Sequence, residues 1–446
     1  MSRQTPDPVS VVPSPSSRVH HTAPGRAGRL LAACALLGAS TGCFGKLLDW
    51  EGSASVQLPQ RLAAVGEEVA VRSSACAADW EVSDVPSGEA SRGARVRGGG
   101  ESATFLAEQP GEYEITARCR KSRASSRIVA FSPTVTLRLG GPVTLPIKCQ
   151  DAVAGPRGRL LCVDHGVHVV EPASGRVLGR TAAPLPATWG LDAQGDRFVV
   201  ATLGCPSTQA GCPTPGLEKG VYLYRLGGDD QPVELGRIAG AAELVPLLDS
   251  DRLFVSTDQK VQRYTIADPT MASAAGCLAD ESLGTVPLPF RVGDKLAVLT
   301  WKDRLQVYDP ATLPPSCTTP TKPLAEARLY EKDSGVLFYS RPAVSGGIAY
   351  VAGVNGLLTL DLTDPLRPRI SDRLKVAAGS VVLVGGRLLA LADGGVLALE
   401  LSDPLHPRPA GRVPVAEGFH VFDRLVALGD ELWIVVDSTV RRVELR

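Results

Sequence analysis

One unit appears twice in succession in this chain, beginning at Ile348. The first copy reads IAYVAGVNGLLTLDLTDPLRPRISDRL and the second RLLALADGGVLALELSDPLHPRPAGRV. Each copy holds a short apolar strand, a tight glycine-containing turn, an alternating strand that ends in Asp-Pro, and a polar strand. A unit of roughly 40 residues made only of strands cannot bury both faces of its own small sheet. Copies of it must therefore pack face to face, and the chain must supply enough of them to leave no face uncovered.

The same pattern runs back along the chain. Strands equivalent to the first apolar one read RLLCVD, RFVVAT, RLFVST, KLAVLT, IAYVAG, RLLALA and ELWIVV. Several follow a two-residue turn such as Gly195-Asp196, Gly293-Asp294 or Gly385-Gly386, which suits a tight hairpin. The strands after them read VHVVEP, VYLYRL, VQRYTIADP, LQVYDP, LLTLDLTDP, VLALELSDP and VRRVEL. The reading is an all-β chain with a seven-bladed β-propeller over residues 132–446. The words LLTLDLTDP and VLALELSDP resemble the LVIVD repeat of bacterial surface propellers, well in units five and six, fairly in three and four, and weakly elsewhere. The last unit lacks an outer strand. PTVTLRLG, residues 133–140, is expected to supply it and so to close the ring without an exposed edge.

Residues 50–131 alternate short period-two strands with Gly, Ser and Pro turns, the pattern of a small antiparallel sandwich. Around Trp80, Pro86-Ser87-Gly88, Phe105 and Pro110-Gly111-Glu112-Tyr113 the stretch resembles PKD-type immunoglobulin-like domains, and this module is expected to act as a spacer. Residues 92–100 depart from the resemblance, with Arg and Gly where a short strand is usual. Trp80 and Tyr113 are read as core residues. A Cys76–Cys119 bond would close about 43 residues and contribute roughly 4 kcal/mol in the chain-entropy model.

The N-terminal region is read as an export segment. Arg26 and Arg29 precede the apolar run LLAACALLGA, then small residues, then Cys43. That run is too short to span a bilayer and has the layout of a signal peptide. The Gly42-Cys43 junction resembles a bacterial lipobox, with Ser40 where Leu is usual. The resemblance implies cleavage after residue 42, lipidation of Cys43, a tether over residues 43–49 and a membrane anchor. Phe44 after the cysteine implies the outer membrane by resemblance to the enterobacterial sorting rule.

Lys and Arg together number 47, as do Asp and Glu. Removing residues 1–42 takes away four arginines and one aspartate, so the mature chain is slightly acidic and offers no field for a nucleic-acid backbone. Of the ten cysteines, eight remain beyond the export segment and Cys43, and disulfides are the expected state of an exported chain. Position in the repeat pairs Cys149 with Cys162, Cys205 with Cys212, and Cys277 with Cys317. Asp164, Asp258, Asp393 and Asp437 recur where the second strand of a unit ends and are read as local turn residues. Asp268, Asp309, Asp364 and Asp403, each before Pro, are read likewise. His165 and His168 form H-x-x-H, too little for a zinc site by itself.

In a propeller the turns between second and third strands emerge on the same rim as the connections between blades. That rim collects the candidate binding residues Trp301, Lys302, Asn355 and His165, together with a Pro-rich insert beginning at Cys205; such loops on rigid scaffolds carry recognition. The expected role is an envelope-anchored, non-catalytic binding or scaffold module for protein or polysaccharide, with no cofactor and no metal. Two alternatives stay open: a propeller hydrolase or lactonase using the central channel, and an outer-membrane assembly factor.

Overall fold

Strand β1 (Val56–Gln57) opens the described part of the chain, followed by β2 (Leu62–Ala64), β3 (Glu68–Ser73), β4 (Asp79–Val85), β5 (Ala94–Gly99), β6 (Ser102–Ala107), β7 (Gly111–Arg118) and β8 (Arg123–Phe131). The computed structural model describes residues 55–446 except 75–76, 86, 120–121, 183–184, 186–187, 203–218, 241–245, 258, 269–271, 284–286, 301–302, 331–339 and 416–422. The first eight strands make two sheets, ordered β1-β3-β6-β5 and β2-β8-β7-β4. Strand β3 alternates exposed and buried residues without a break, as a sheet with one wet face requires. Val69, Val71, Phe105, Tyr113, Ile115 and Ile128 fill the space between the sheets. Tyr113 is buried and its hydroxyl donates to the Gln109 carbonyl at 2.9 Å, while the half-buried Trp80 donates to the Gly100 carbonyl at 3.1 Å. Both aromatics therefore have the core role read from the sequence. Residues 92–100 differ from the expectation: β5 lies there and pairs with β6 from Ala94 to Gly99.

Beyond Phe131 the described residues form seven further sheets, each an antiparallel meander, and apart from single 3-10 turns the secondary structure is all strand. The second strands are apolar along their whole length, as in Ile348–Gly353, where all six residues are buried. A strand alternates its side chains between two faces, so burial at every position means that both faces of the sheet are covered. The covering is mutual. Seven apolar clusters lie between these sheets, each joining two that are consecutive, and one joins the last sheet to the first. In that last cluster Leu160 and Val170 meet Val426, Trp433 and Val435.

The seam is made by residues that precede the first sheet. The strand Thr439–Leu445 pairs with β9 (Leu137–Leu139), Val443 opposite Leu139, and with β10 (Val143–Thr144), Val440 opposite Val143. Just upstream, the Thr134 and Val135 N–H groups both donate to the Ala410 carbonyl on the outer strand of the sixth sheet. The outer strand expected of residues 133–140 is thus present, carried on by β10.

Asp-Pro turns have two uses. The Asp309, Asp364 and Asp403 carboxylates accept N–H groups two residues on, from Ala311, Leu366 and Leu405, at 2.8, 3.1 and 3.1 Å. The carbonyl of the following proline serves the preceding sheet, since Tyr350 donates to Pro404 at 2.9 Å and Arg263 donates to Pro310. The repeat word therefore stiffens its own turn and ties neighbouring sheets together.

A Cβ on Gly411 would lie 2.3 Å from the Val135 carbonyl oxygen, a backbone atom in the seam. Gly411→Ala is expected to destabilise the protein by about 1–3 kcal/mol through overpacking, read as a lower urea midpoint.

Candidate functional site

The first strands of the seven sheets lie toward one another around the centre of the ring. These strands carry Asp151, Asp192 and Asp249 on the first three sheets, and Arg291, Arg341 and Arg424 stand on or just before those of the fourth, fifth and seventh; Asp151 and Arg424 open their strands, while Asp249 and Arg291 lie at the opposite end, beside the turn to the second strand. The charges pair across sheets. Arg424 Nε stands 2.8 Å from Asp151, joining the last sheet to the first. Arg291 stands 3.4 Å from Asp249, joining the fourth to the third. Arg341 reaches between sheets that are not neighbours: it pairs with Asp192 of the second and donates to the Pro246 carbonyl of the third. The other Asp192 oxygen accepts the Leu248 N–H at 2.6 Å. Burial pushes the Asp192 carboxyl above the ordinary carboxylate range, and Arg341 pulls against that rise. A buried ion pair of this kind gains little net stability but is costly to break.

The rim of the turns between second and third strands is the other candidate surface. His165 is exposed in a left-handed turn at φ 47°, its Nε2 3.9 Å from the Asp164 carboxylate. His168 instead bonds the Asp164 carbonyl through Nε2 at 3.0 Å, so the two histidines are turned to different tasks. Asp164 itself accepts the Lys148 N–H at 3.0 Å, fixing the connection that enters the first sheet. Asn355 is exposed in the turn of the fifth sheet. Trp301, Lys302, Cys205, Cys212 and Asp258 lie outside the described residues, as do Cys43 and Cys76.

Asp393 departs from its reading as a local turn residue. It holds the left-handed conformation at φ 53°, but its carboxylate accepts the Arg61 and Leu62 N–H groups of the N-terminal sandwich at 2.5 and 2.7 Å. Arg412 completes the contact, donating to the Asp393 carbonyl at 2.8 Å and to Glu67 at 3.1 Å. Leu62 and Phe131 belong to the apolar cluster shared by the fifth and sixth sheets. The sandwich is therefore seated on this rim. No sequence pattern announces it, because an Asp-Gly turn reads the same whatever lies above it.

Two of the expected disulfides are present, Cys149–Cys162 and Cys277–Cys317, with Cα separations of 5.2 and 5.1 Å. The second ties the outer strand of the third sheet to the long turn of the fourth. Cys119 is also disulfide-bonded.

The sequence matches no family model and no curated protein. Among solved structures it is similar to the β-propeller domain of Cps50 (Swd1) from Myceliophteria thermophila. That likeness has a TM-score of 0.53 at 12% identity and covers 69% of this chain and 99% of that domain. The larger part of the chain is a β-propeller. BamB from Moraxella catarrhalis aligns over 69% of this chain and 100% of its own at 13% identity, with a TM-score of 0.46. With 834 solved chains matching, likeness to a propeller speaks for architecture and leaves function to the site.

The propeller's central ion pairs generate a prediction. Arg341→Met leaves Asp192 buried without its cation and is expected to cost roughly 3 kcal/mol at neutral pH. A carboxyl whose folded value is raised gives stability below its unfolded value that is lost as pH rises. The deficit should therefore shrink toward about pH 4, where the neutral acid tolerates burial. Urea titrations at the two pH values measure it, and Asp192→Asn added to Arg341→Met should recover most of the neutral-pH loss.

Proposed function

We propose that this chain is an envelope-anchored lipoprotein that acts as a non-catalytic binding or scaffold module for protein or polysaccharide. In this reading residues 1–42 are a signal segment, residues 43–49 a tether, residues 50–131 a PKD/immunoglobulin-like sandwich and residues 132–446 a seven-bladed LVIVD-like propeller. Seven sheets joined by seven shared cores support the blade number. The two strand orders of the sandwich support the immunoglobulin-like assignment, as does the Tyr113 hydroxyl bonded back to Gln109. Bonded cysteines support an oxidising compartment.

One observation carries the non-catalytic reading. A channel hydrolase needs carboxylates free to hold a cation or move a proton. Here Asp151, Asp192 and Asp249 each face a guanidinium, which balances their charge within the protein. Recognition then falls to the rims, where Trp301, Lys302, Asn355 and His165 remain the candidate contacts, with Trp the residue type that most often anchors an interface. A mature chain that is slightly acidic once residues 1–42 are removed fits a protein or polysaccharide partner better than a nucleic acid.

Membrane anchoring follows from the lipobox resemblance, and the outer membrane from Phe44 by resemblance to the sorting rule; the anchoring is directly testable. Cys43→Ala should leave the protein unprocessed or release it to the soluble periplasmic fraction; a processed, membrane-bound variant contradicts the assignment.

The binding role is tested by affinity capture from solubilised envelope. A partner should co-purify, and Trp301→Ala should weaken its retention while leaving the thermal transition in place. Unchanged retention moves the site away from Trp301.

A further inference from the structure

We infer that the N-terminal sandwich is latched to the propeller as a fixed cap over the rim of the fifth and sixth sheets, and is not a spacer on a hinge. The latch has a polar and an apolar part. In the polar part the Asp393 carboxylate takes both the Arg61 and the Leu62 N–H groups at the start of β2. β2 is an edge strand, paired with β8 on one side, and the Asp393 carboxylate meets it on the other. Arg412, with a side chain only 6% exposed, spans the junction from the Asp393 carbonyl to Glu67. Glu67 in turn takes the Ala64 N–H at 2.7 Å and the Gln60 amide at 2.7 Å, which fixes the segment on both sides of the contact.

The apolar part is continuous with the propeller core. Leu62 is fully buried and Phe131 is 5% exposed, and they share one cluster with Val376 and Ala378 of the sixth sheet's approach and with Tyr350 and Leu357 of the fifth sheet. The two strands of the sandwich that dock, β2 and β8, are joined in parallel register with Ala64 opposite Phe131. Leu62 lies opposite Val129 in that register, and all four residues belong to or pack against the shared cluster. Leu62 takes part in both, through its N–H and through its side chain, which couples the polar contact to the apolar one. Residues 53–446 accordingly form one compact unit.

The consequence for recognition is a restriction. A partner that approaches this rim meets the sandwich over the fifth and sixth sheets and must use the remaining sector, or contact sandwich and propeller at once. This deepens the binding-module reading by limiting where a rim partner can sit, but the latch itself stands on the contacts above and does not depend on that reading.

Asp393→Gly tests the latch, because glycine keeps the left-handed turn without strain while removing the carboxylate. Hydrogen exchange of the processed full chain should show the amides of Arg61 and Leu62 protected in the wild type. In Asp393→Gly they should exchange about tenfold faster or more, as expected when charge-assisted hydrogen bonds are lost, with the second strands of the propeller unchanged. Asp393→Asn, which keeps an acceptor oxygen, should fall between the two. Spin labels at Glu89 and Asp229 should give one narrow distance distribution that broadens in Asp393→Gly. Unprotected amides in the wild type, equal protection in Asp393→Gly, or a broad wild-type distance distribution would each overturn the latch. None of these outcomes bears on whether a partner binds, so failure here is distinguishable from failure of the proposed function.

Discussion

Mutual burial of sheet faces is the constraint from which the rest of this structure follows. Each four-stranded meander has two apolar faces and can cover neither, so it is stable only between two others. Residues such as Ala349, Val351 and Leu358 face the fourth sheet while Tyr350, Ala352 and Leu357 face the sixth. A single strand thus contributes alternate side chains to two different cores. Burial of each large apolar side chain contributes on the order of 1.5–3 kcal/mol, and the arrangement has no natural end until the last face meets the first.

Closure solves that problem with residues taken from before the first sheet. Leu137 and Leu139 pair along the last strand and also enter the core between the sixth and seventh sheets. The segment leaving the sandwich at Phe131 must run past the sixth sheet to reach this place, and the N–H groups of Thr134 and Val135 bond to it on the way. The seating of the sandwich on the fifth and sixth sheets is therefore a by-product of how the ring is closed, reinforced by Asp393 and Arg412. Paired charges at the centre belong to the same economy of space. First strands carry Asp on one set of sheets and Arg on another, and Arg341 reaches Asp192 across the ring.

Much of the fold was legible because burial on both faces writes an unbroken apolar run into each second strand, and RLLALA or IAYVAG admits few other readings. Asp-Pro turns were legible because Asp403 bonds to an N–H two residues away, a contact that sequence spacing specifies. Two disulfides followed from their place in the repeat. What could not be read were contacts between residues far apart in the chain. Asp393 resembles Asp437 in sequence and in turn geometry, with φ values of 53° and 48°, yet the sandwich rests on Asp393. Arg341 gave no sign of its partner, since its sheet and that of Asp192 are not neighbours in the repeat. The strand at residues 94–99 was not legible because three of its six residues, Ala94, Gly98 and Gly99, have low strand propensity, and pairing with β6 overrides that preference.

The seven sheets form a closed ring, the last strand bonded to β9 and β10 at the seam. Native-state hydrogen exchange tests it by comparing the seam strand Thr439–Leu445 with the interior strand Ile348–Gly353. A closed ring predicts that the two strands share one opening free energy and lose protection together as denaturant is added. Markedly earlier exchange of the seam strand, with the interior strand still protected, would mean that the last sheet frays as a free end and would contradict the account.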